Sequence, residues 1–380
     1  MSAEDPRLTA PDGRPRARGI GVPFDGDPGP LNAVTDVAGL EVGYRTVIEG
    51  EGGLEEGRGA IRTGVTAVLP RGRDGADRPF WAGCFSLNGH GEMTGWQYVE
   101  ELGLANHPIL ITNTHSCGLA RDAALRWTAK RFGTSAYGSL GHPVVGETYD
   151  GFLNDINGFH VTNGHVFEAI EAARPGPVRE GSVGGGTGMM CYGYKGGSGT
   201  ASRVVEVAGR RVTVGVFVQA NFGLVDQLTV AGVPVGKALP GGKVEPSGNS
   251  IIGLVATDAA LLPHQLKRLA RRAGLGIARS GATATNGSGD LFFAFTTANA
   301  DAAAERERPA TLEWLPDAQL SPLFAAVVQA TDEAVLNALV VNADMDGRDG
   351  NRVLALPHAA VVAALKQHGR WTDPAAGGGR

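Results

Sequence analysis

Apolar positions along this chain fall into short runs punctuated by glycine, proline and polar residues, and the spacing within each run separates strands from helices. Gly64 to Pro70, Trp81 to Leu87 and Pro108 to Asn113 are compact and rich in β-branched residues, and they read as strands. Trp96 to Leu102 predicts a helix entered from the loop Asn88 to Gly95. Gly118 to Arg131 predicts an amphipathic helix that buries Leu119, Ala123, Leu125 and Trp127. Val34 to Val42 is turn-rich, and Gly151 to Ile156 and Thr162 to Ala172 continue the helical part before a break at Arg174 to Pro177. Ser202 to Val207 and Arg211 to Gln219 alternate around Gly209 as a hairpin does. Ile251 to Ala256 reads as a buried strand. Pro263 suits a first helical position, and Leu262, Leu266, Leu269 and Ala273 recur at helical spacing, which predicts a helix from about Leu262 to Ala278. A strand over Leu291 to Thr297, helix from Glu313 to Val341, a turn cluster at Asp344 to Asn351 and a last helix near Ala359 to Gln367 complete the pattern. Alternating strands and helices predict layered α/β architecture, and no solenoid repeat is visible.

Residues 1 to about 30 lack any apolar period and are rich in Pro, Gly, Arg and Asp, so they read as a flexible or surface-wrapped arm. Glycine is abundant, 58 of 380 residues, while the hydrophobic share of 42% is ordinary, which points to tight turns and close backbone approaches. The glycines are densest between Gly181 and Thr200. A phosphate loop there would need a strand before it and a helix after it, and neither is evident, so a glycine-lined wall beside a site is the better reading. The net charge of -5 and a pI near 6.0 argue against a nucleic-acid or membrane-surface binder. Lys267, Arg268, Arg271 and Arg272 on one helix face are a solvated face on this reading. The most apolar stretch, Ile251 to Leu262, is short for a membrane span and broken by Asp258, and the amino terminus has no secretory pattern. Cys84, Cys117 and Cys191 are odd in number and far apart, so a cytoplasmic location without disulfides is expected.

Metal chemistry has little support, since the nine His are scattered with no two at ligand spacing on a helix face, and His90 with Glu92, and His115, are the only candidates. No Gly-x-Ser-x-Gly elbow announces a serine-histidine-acid triad. Ser250 offers a third route. Pro246, Ser247, Gly248 and Asn249 favour a turn and the buried strand follows, so Ser250 sits at a loop-to-strand edge. A chain cut there would give Ser250 a free α-amine, with a reference pKa of ~7.7–8.0, beside its own hydroxyl. The plain alternative is a linker that ends in a core strand.

The segment Ser247 to Arg272 closely resembles the start of the small subunit in the L-aminopeptidase/D-amino-acid esterase-amidase family, which includes the β-peptidyl aminopeptidases. Val34 to Gly43, Asn88 to Gly95, Thr112 to His115, Gly146 to Asp155, Gly184 to Gly188, Ala220 to Gly223 and Asn286 to Asp290 resemble further blocks of the family, in order, from about residue 30 to 370. The resemblance implies a four-layer αββα sandwich similar to that of ornithine acetyltransferase and of N-terminal-nucleophile hydrolases. It implies self-cleavage between Asn249 and Ser250 into a large chain, 31–249, and a small chain, 250–380, that stay folded together. Ser250 matches the nucleophile, Asn221 an oxyanion donor, Ser288 and Asp290 a pair that assists proton transfer, and Tyr149 a tyrosine of the site. Glu147 is the best anion for a substrate ammonium.

On this resemblance the chain is a serine aminopeptidase that acts on short peptides, amides or esters with a free amine, without metal or organic cofactor, as a homotetramer of two-chain units. Its alternatives are acyl transfer of the ornithine acetyltransferase type, which uses a threonine nucleophile, and a non-catalytic binding protein of the same fold. Preference among α-L, α-D and β-amino residues stays open, because one methylene is worth only ~1–3 kcal/mol in a pocket.

Overall fold

The computed structural model describes residues 5–133, 141–240, 248–305 and 307–377. Pro246 and Ser247, expected to open the turn before Ser250, lie outside the described residues. In chain order the strands are β1 (Glu41–Glu49), β2 (Ile61–Leu69), β3 (Phe80–Gly89), β4 (Leu104–Ala105), β5 (Ile109–Asn113), β6 (Val145–Thr148), β7 (Met190–Cys191), β8 (Tyr194–Lys195), β9 (Gly197–Val207), β10 (Arg210–Asn221), β11 (Ser250–Thr257), β12 (Gly289–Thr296) and the short pair β13 (Met345–Asp346) and β14 (Arg352–Val353). The helices are α1 (Trp96–Leu102), α2 (Cys117–Phe132), α3 (Asn163–Glu171), α4 (Pro263–Arg279), α5 (Ala300–Ala304), α6 (Ser321–Val340) and α7 (His358–Gln367).

Two sheets stack face to face. One has the order β1-β2-β5-β6, the other β4-β3-β12-β11-β10-β9, and β7 pairs separately with β8. A core of Phe217, Ile252, Leu254, Phe293 and Phe295 with Val68 and Ile111 fills the space between the sheets. A second core joins the six-stranded sheet to α4 and α6, and a third joins the four-stranded sheet to α2 and α3. The architecture is the αββα sandwich. β11 shows why the sequence reads as it does: Ile251 and Val255 face the helices while Ile252 and Leu254 face the other sheet, so both faces are buried and the run is uniformly apolar. Each such large side chain contributes roughly 1.5–3 kcal/mol on leaving water.

α4 begins with Pro263 at its first turn, and the Gln265 side chain accepts the Leu262 N–H at 3.0 Å. Its basic face is engaged within the chain, with Lys267 on Glu100 (2.7 Å), Arg268 on Asp317 (2.9 Å) and Arg272 over the Phe324 ring. α6 is long and apolar enough to cross a membrane by length and composition; here most of it is buried against β9, β10 and α4.

Several sequence expectations change. Glu41–Glu49 is a strand although Val34 to Val42 reads as turns, and Gly151 to Ile156 is turn rather than helix, followed by a 3-10 turn at Ile156–Gly158. The helix expected from Glu313 to Val341 starts only at Ser321. α2 buries Ala120 and Ala124 beside Ala123 and Trp127, while Leu119 and Leu125 are half-buried, because small residues let it lie close on its sheet. Within the expected arm, Arg16 and Ala17 are buried: Arg16 pairs with Glu180 (2.7 Å), Arg18 with Glu333 (2.6 Å), and the Ala17 N–H donates to Asn337 Oδ1 (2.9 Å). Ion pairs and loops hold this segment, so no apolar period marks it.

Candidate active site

The six-stranded sheet brings four chain segments to one edge. Ser250 opens β11, faces Asn221 at the end of β10, and lies beside Gly289 at the start of β12; Gly289 in turn faces Gly89 at the end of β3. Register here is fixed by burial of both faces, since a one-residue slip would turn every apolar side chain to the wrong side.

Ser250 is buried, and its Oγ donates to the Asn249 carbonyl oxygen at 2.5 Å. The Gly289 N–H points into this pair, 3.2 Å from Ser250 Oγ and 3.2 Å from the Asn249 oxygen. The Asn249 side chain donates to Thr285 Oγ1 at 3.0 Å. A hydroxyl thus rests on the carbonyl of the preceding residue, with a backbone donor aimed at the oxygen where charge would develop during attack.

Asn221 Oδ1 accepts the Met190 N–H at 2.8 Å, which turns Nδ2 toward the Asn249–Ser250 side. In the continuous chain both amide hydrogens are occupied, by Tyr149 O (3.0 Å) and Gly248 O (2.8 Å). Gly248 has φ of +76°, and a Cβ there would stand 2.9 Å from Tyr149 Cβ, so only glycine lets the chain pass the Tyr149 ring. Tyr149 contributes its backbone carbonyl to Asn221, while its hydroxyl lies over Gly151.

Ser288 Oγ donates to Asp290 Oδ1 at 2.7 Å, and both residues are buried. Burial raises the Asp290 pKa, and the Ser288 bond only partly opposes it. Asp290 Oδ2 has no partner among the described residues. No side-chain bond joins this pair to Ser250 among the described residues; the backbone of Gly289 lies between them.

Glu147, on β6 of the other sheet, is buried and accepts the Glu92 N–H at 2.9 Å. Burial raises its pKa against the lowering effect of hydrogen bonds from Thr114 and the Glu92 backbone. It belongs to the same neighbourhood as Ser250 through two glycines. A Cβ on Gly289 would stand 2.7 Å from Gly91 Cα, and one on Gly91 would stand 3.3 Å from Glu147 Oε1.

Gly184–Gly186 form a buried 3-10 turn between the sheets. A Cβ on Gly185 would stand 2.3 Å from Gln219 Oε1, so these glycines serve close packing of protein on protein. His90, Glu92 and His115 form no metal-binding group of three or more among the described residues, and His115 stacks on Phe159. The groups that sequence reading missed are the N–H groups of Gly289 and Met190 and the hydroxyl of Thr285. Backbone donors carry no residue signature, so register alone could have found them.

The model of peptidase family S58 matches residues 32–353. The chain is 51% identical to the β-peptidyl aminopeptidase BapA of Sphingosinicella microcystinivorans, over 94% of this chain and 93% of that protein. It is 44% identical to BapA of Sphingosinicella xenopeptidilytica, over 93% and 91% of the two chains. Among solved structures, the L-aminopeptidase D-Ala-esterase/amidase of Ochrobactrum anthropi, described as a prototype serine aminopeptidase with a variant of the Ntn hydrolase fold, superposes with a TM-score of 0.88. It is 46% identical over 94% of this chain and 100% of that one. The β-aminopeptidase of a Burkholderia species gives a TM-score of 0.83 at 44% identity, over 94% and 100%. The chain belongs to peptidase family S58 and is a serine aminopeptidase.

Proposed function

We propose that the chain cleaves itself between Asn249 and Ser250, and that the freed Ser250 then removes amino-terminal residues from short peptides, amides and esters. The observation that carries this reading is the Ser250 hydroxyl resting on the Asn249 carbonyl under the shared Gly289 N–H. In cleavage, Ser250 Oγ bonds to the Asn249 carbonyl carbon, and the peptide C–N bond breaks as its nitrogen takes up the hydroxyl proton. Water then hydrolyses the ester, leaving an Asn249 carboxylate and a free Ser250 amine. That amine, with a reference pKa of ~7.7–8.0, becomes the base for Ser250 in the peptidase reaction.

Departure of the Asn249 end would release Asn221 Nδ2 from the Gly248 carbonyl, making it an oxyanion donor for the substrate. Asp290, with its raised pKa and Ser288 partner, suits proton transfer. Glu147 meets the substrate ammonium, which a buried site must pair with a carboxylate. Tyr149 borders the leaving segment at Gly248. The names of the relatives support acceptance of β-amino residues. A homotetramer of two-chain units is carried over from the family resemblance, and a cytoplasmic location from the odd number and wide spacing of the cysteines.

Amino-terminal sequencing of the small fragment, combined with hydrolysis of alanine p-nitroanilide and its N-acetyl form, tests the reading. A fragment that starts at Ser250, and hydrolysis of the free amine alone, are expected. Another cut site would remove Ser250 from the nucleophile role, and equal hydrolysis of both compounds would move the protein to general amidase chemistry.

A further inference from the structure

Lys195 is completely buried, and among the described residues it forms no ion pair. Taking an ammonium out of water is costly, so a lysine at such a place needs a reason. Its Nζ donates to Met189 O at 2.7 Å and to Gly196 O at 2.8 Å. The Met189 carbonyl is one end of a planar peptide group whose other end is the Met190 N–H, and that N–H is the donor to Asn221 Oδ1 at 2.8 Å.

We propose that Lys195 is a positioning residue for Asn221, acting through the single peptide group between Met189 and Met190. A cation on the carbonyl draws electron density from the amide nitrogen and strengthens the N–H as a donor. The Asn221 amide has two faces of nearly equal shape, one accepting and one donating. A strong donor at Oδ1 fixes which face is which, and keeps Nδ2 toward the Asn249–Ser250 side, where it meets Tyr149 O and Gly248 O. The Gly196 N–H also reaches the Met189 carbonyl, at 3.0 Å, so the direction of the peptide survives without the lysine. The ammonium adds its charge. Burial lowers the Lys195 pKa to about 7, so the ammonium is the dominant form only below neutral pH.

This proposal rests on the oxyanion role given to Asn221 above, and a double-mutant cycle separates the two. Wild type, Lys195→Met, Asn221→Ala and the double variant are compared for kcat and KM on alanine p-nitroanilide, with processing checked by gel and folding by thermal melt. Lys195→Met lowers kcat about tenfold with KM little changed, as loss of a charge-assisted bond predicts. In the Asn221→Ala background the same substitution costs less than about twofold, because its target is gone. If Lys195→Met does not fold, Lys195→Gln, which keeps a shorter uncharged donor, completes the cycle. Equal losses in both backgrounds, or a change confined to KM, overturn the proposal and leave Lys195 a packing residue. Full turnover in Asn221→Ala overturns the Asn221 assignment itself, and the Lys195 proposal falls with it.

Discussion

Glu333 and Glu147 are both buried glutamates, and their surroundings drive them in opposite directions. Around Glu333, on α6, stand Arg18 (2.6 Å) and Arg203 (2.7 Å), with Asn32 donating to the same carboxylate at 2.6 Å. Burial alone would raise its pKa, but the two guanidiniums outweigh it and hold the group at about 2. At the strand ends near Ser250, Glu147 and Asp290 are buried without an ion pair among the described residues, and burial prevails in both. A fully paired cluster ties the amino-terminal segment to the helix layer and has nothing left to bind. A half-paired cluster costs stability, and in it Asp290 Oδ2 keeps a free valence among the described residues.

The largest effect expected on either side is at Ser250. Ser250→Ala should remain one chain and lose turnover by ~10⁶-fold, read by gel and by p-nitroanilide release. Normal turnover in that variant would place the nucleophile elsewhere. Next is Glu333→Ala, which leaves Arg203 buried and unpaired and should cost about 3–5 kcal/mol in denaturant unfolding, with little change in kcat for the folded fraction. Loss of kcat at unchanged stability would erase the contrast between the clusters.

Asn221→Ala should lower kcat by ~10²–10³, the usual cost of an oxyanion donor, while KM changes little. Because Asn221 also anchors Gly248 in the continuous chain, the assay should include separately expressed and recombined chains. Glu147→Gln should remove most activity on the free amine and narrow discrimination against the N-acetyl compound, as comparison of kcat/KM for the two will tell.

The smallest effect is one of pH. The folded pKa of Glu333 lies below its ordinary 4.5, so its stabilisation is complete above 4.5 and is lost as pH falls toward 2. The stability gap between wild type and Glu333→Gln should therefore be flat above about pH 5 and shrink below it. Glu147 has the opposite sign, because its raised pKa makes it take up a proton at a pH where an ordinary glutamate is still charged. Aminopeptidase activity should show an acid limb above pH 4.5 that Glu147→Gln removes.

Much of this was legible in the residues. The uniform run after Ser250 and the helical spacing of Leu262 to Ala273 gave their elements to within a residue or two, because burial dictates their period, while the hairpin around Gly209 was found but its first strand starts five residues earlier, at Gly197, inside the glycine-rich stretch. The blocks around Glu147, Asn221, Ser250 and Ser288 supplied the candidate site by family resemblance. β1 and β6 escaped, the first beginning inside a turn-rich stretch and the second only four residues long. The amino-terminal segment escaped too, since partners such as Glu333, far along the chain, hold it.

The sequence by itself determined the layered α/β class, the strand that starts at Ser250 and the residue types available for chemistry, because these follow from local periodicity and side-chain identity. Only the tertiary structure decided that the Gly289 N–H points at both the Asn249 carbonyl and Ser250 Oγ, and that Lys195 reaches Asn221 through one peptide group. It also decided in which direction burial and partners move the pKa of each buried acid. Those features depend on register, backbone direction and the count of partners around a buried group, and all three arise only when distant segments are brought together.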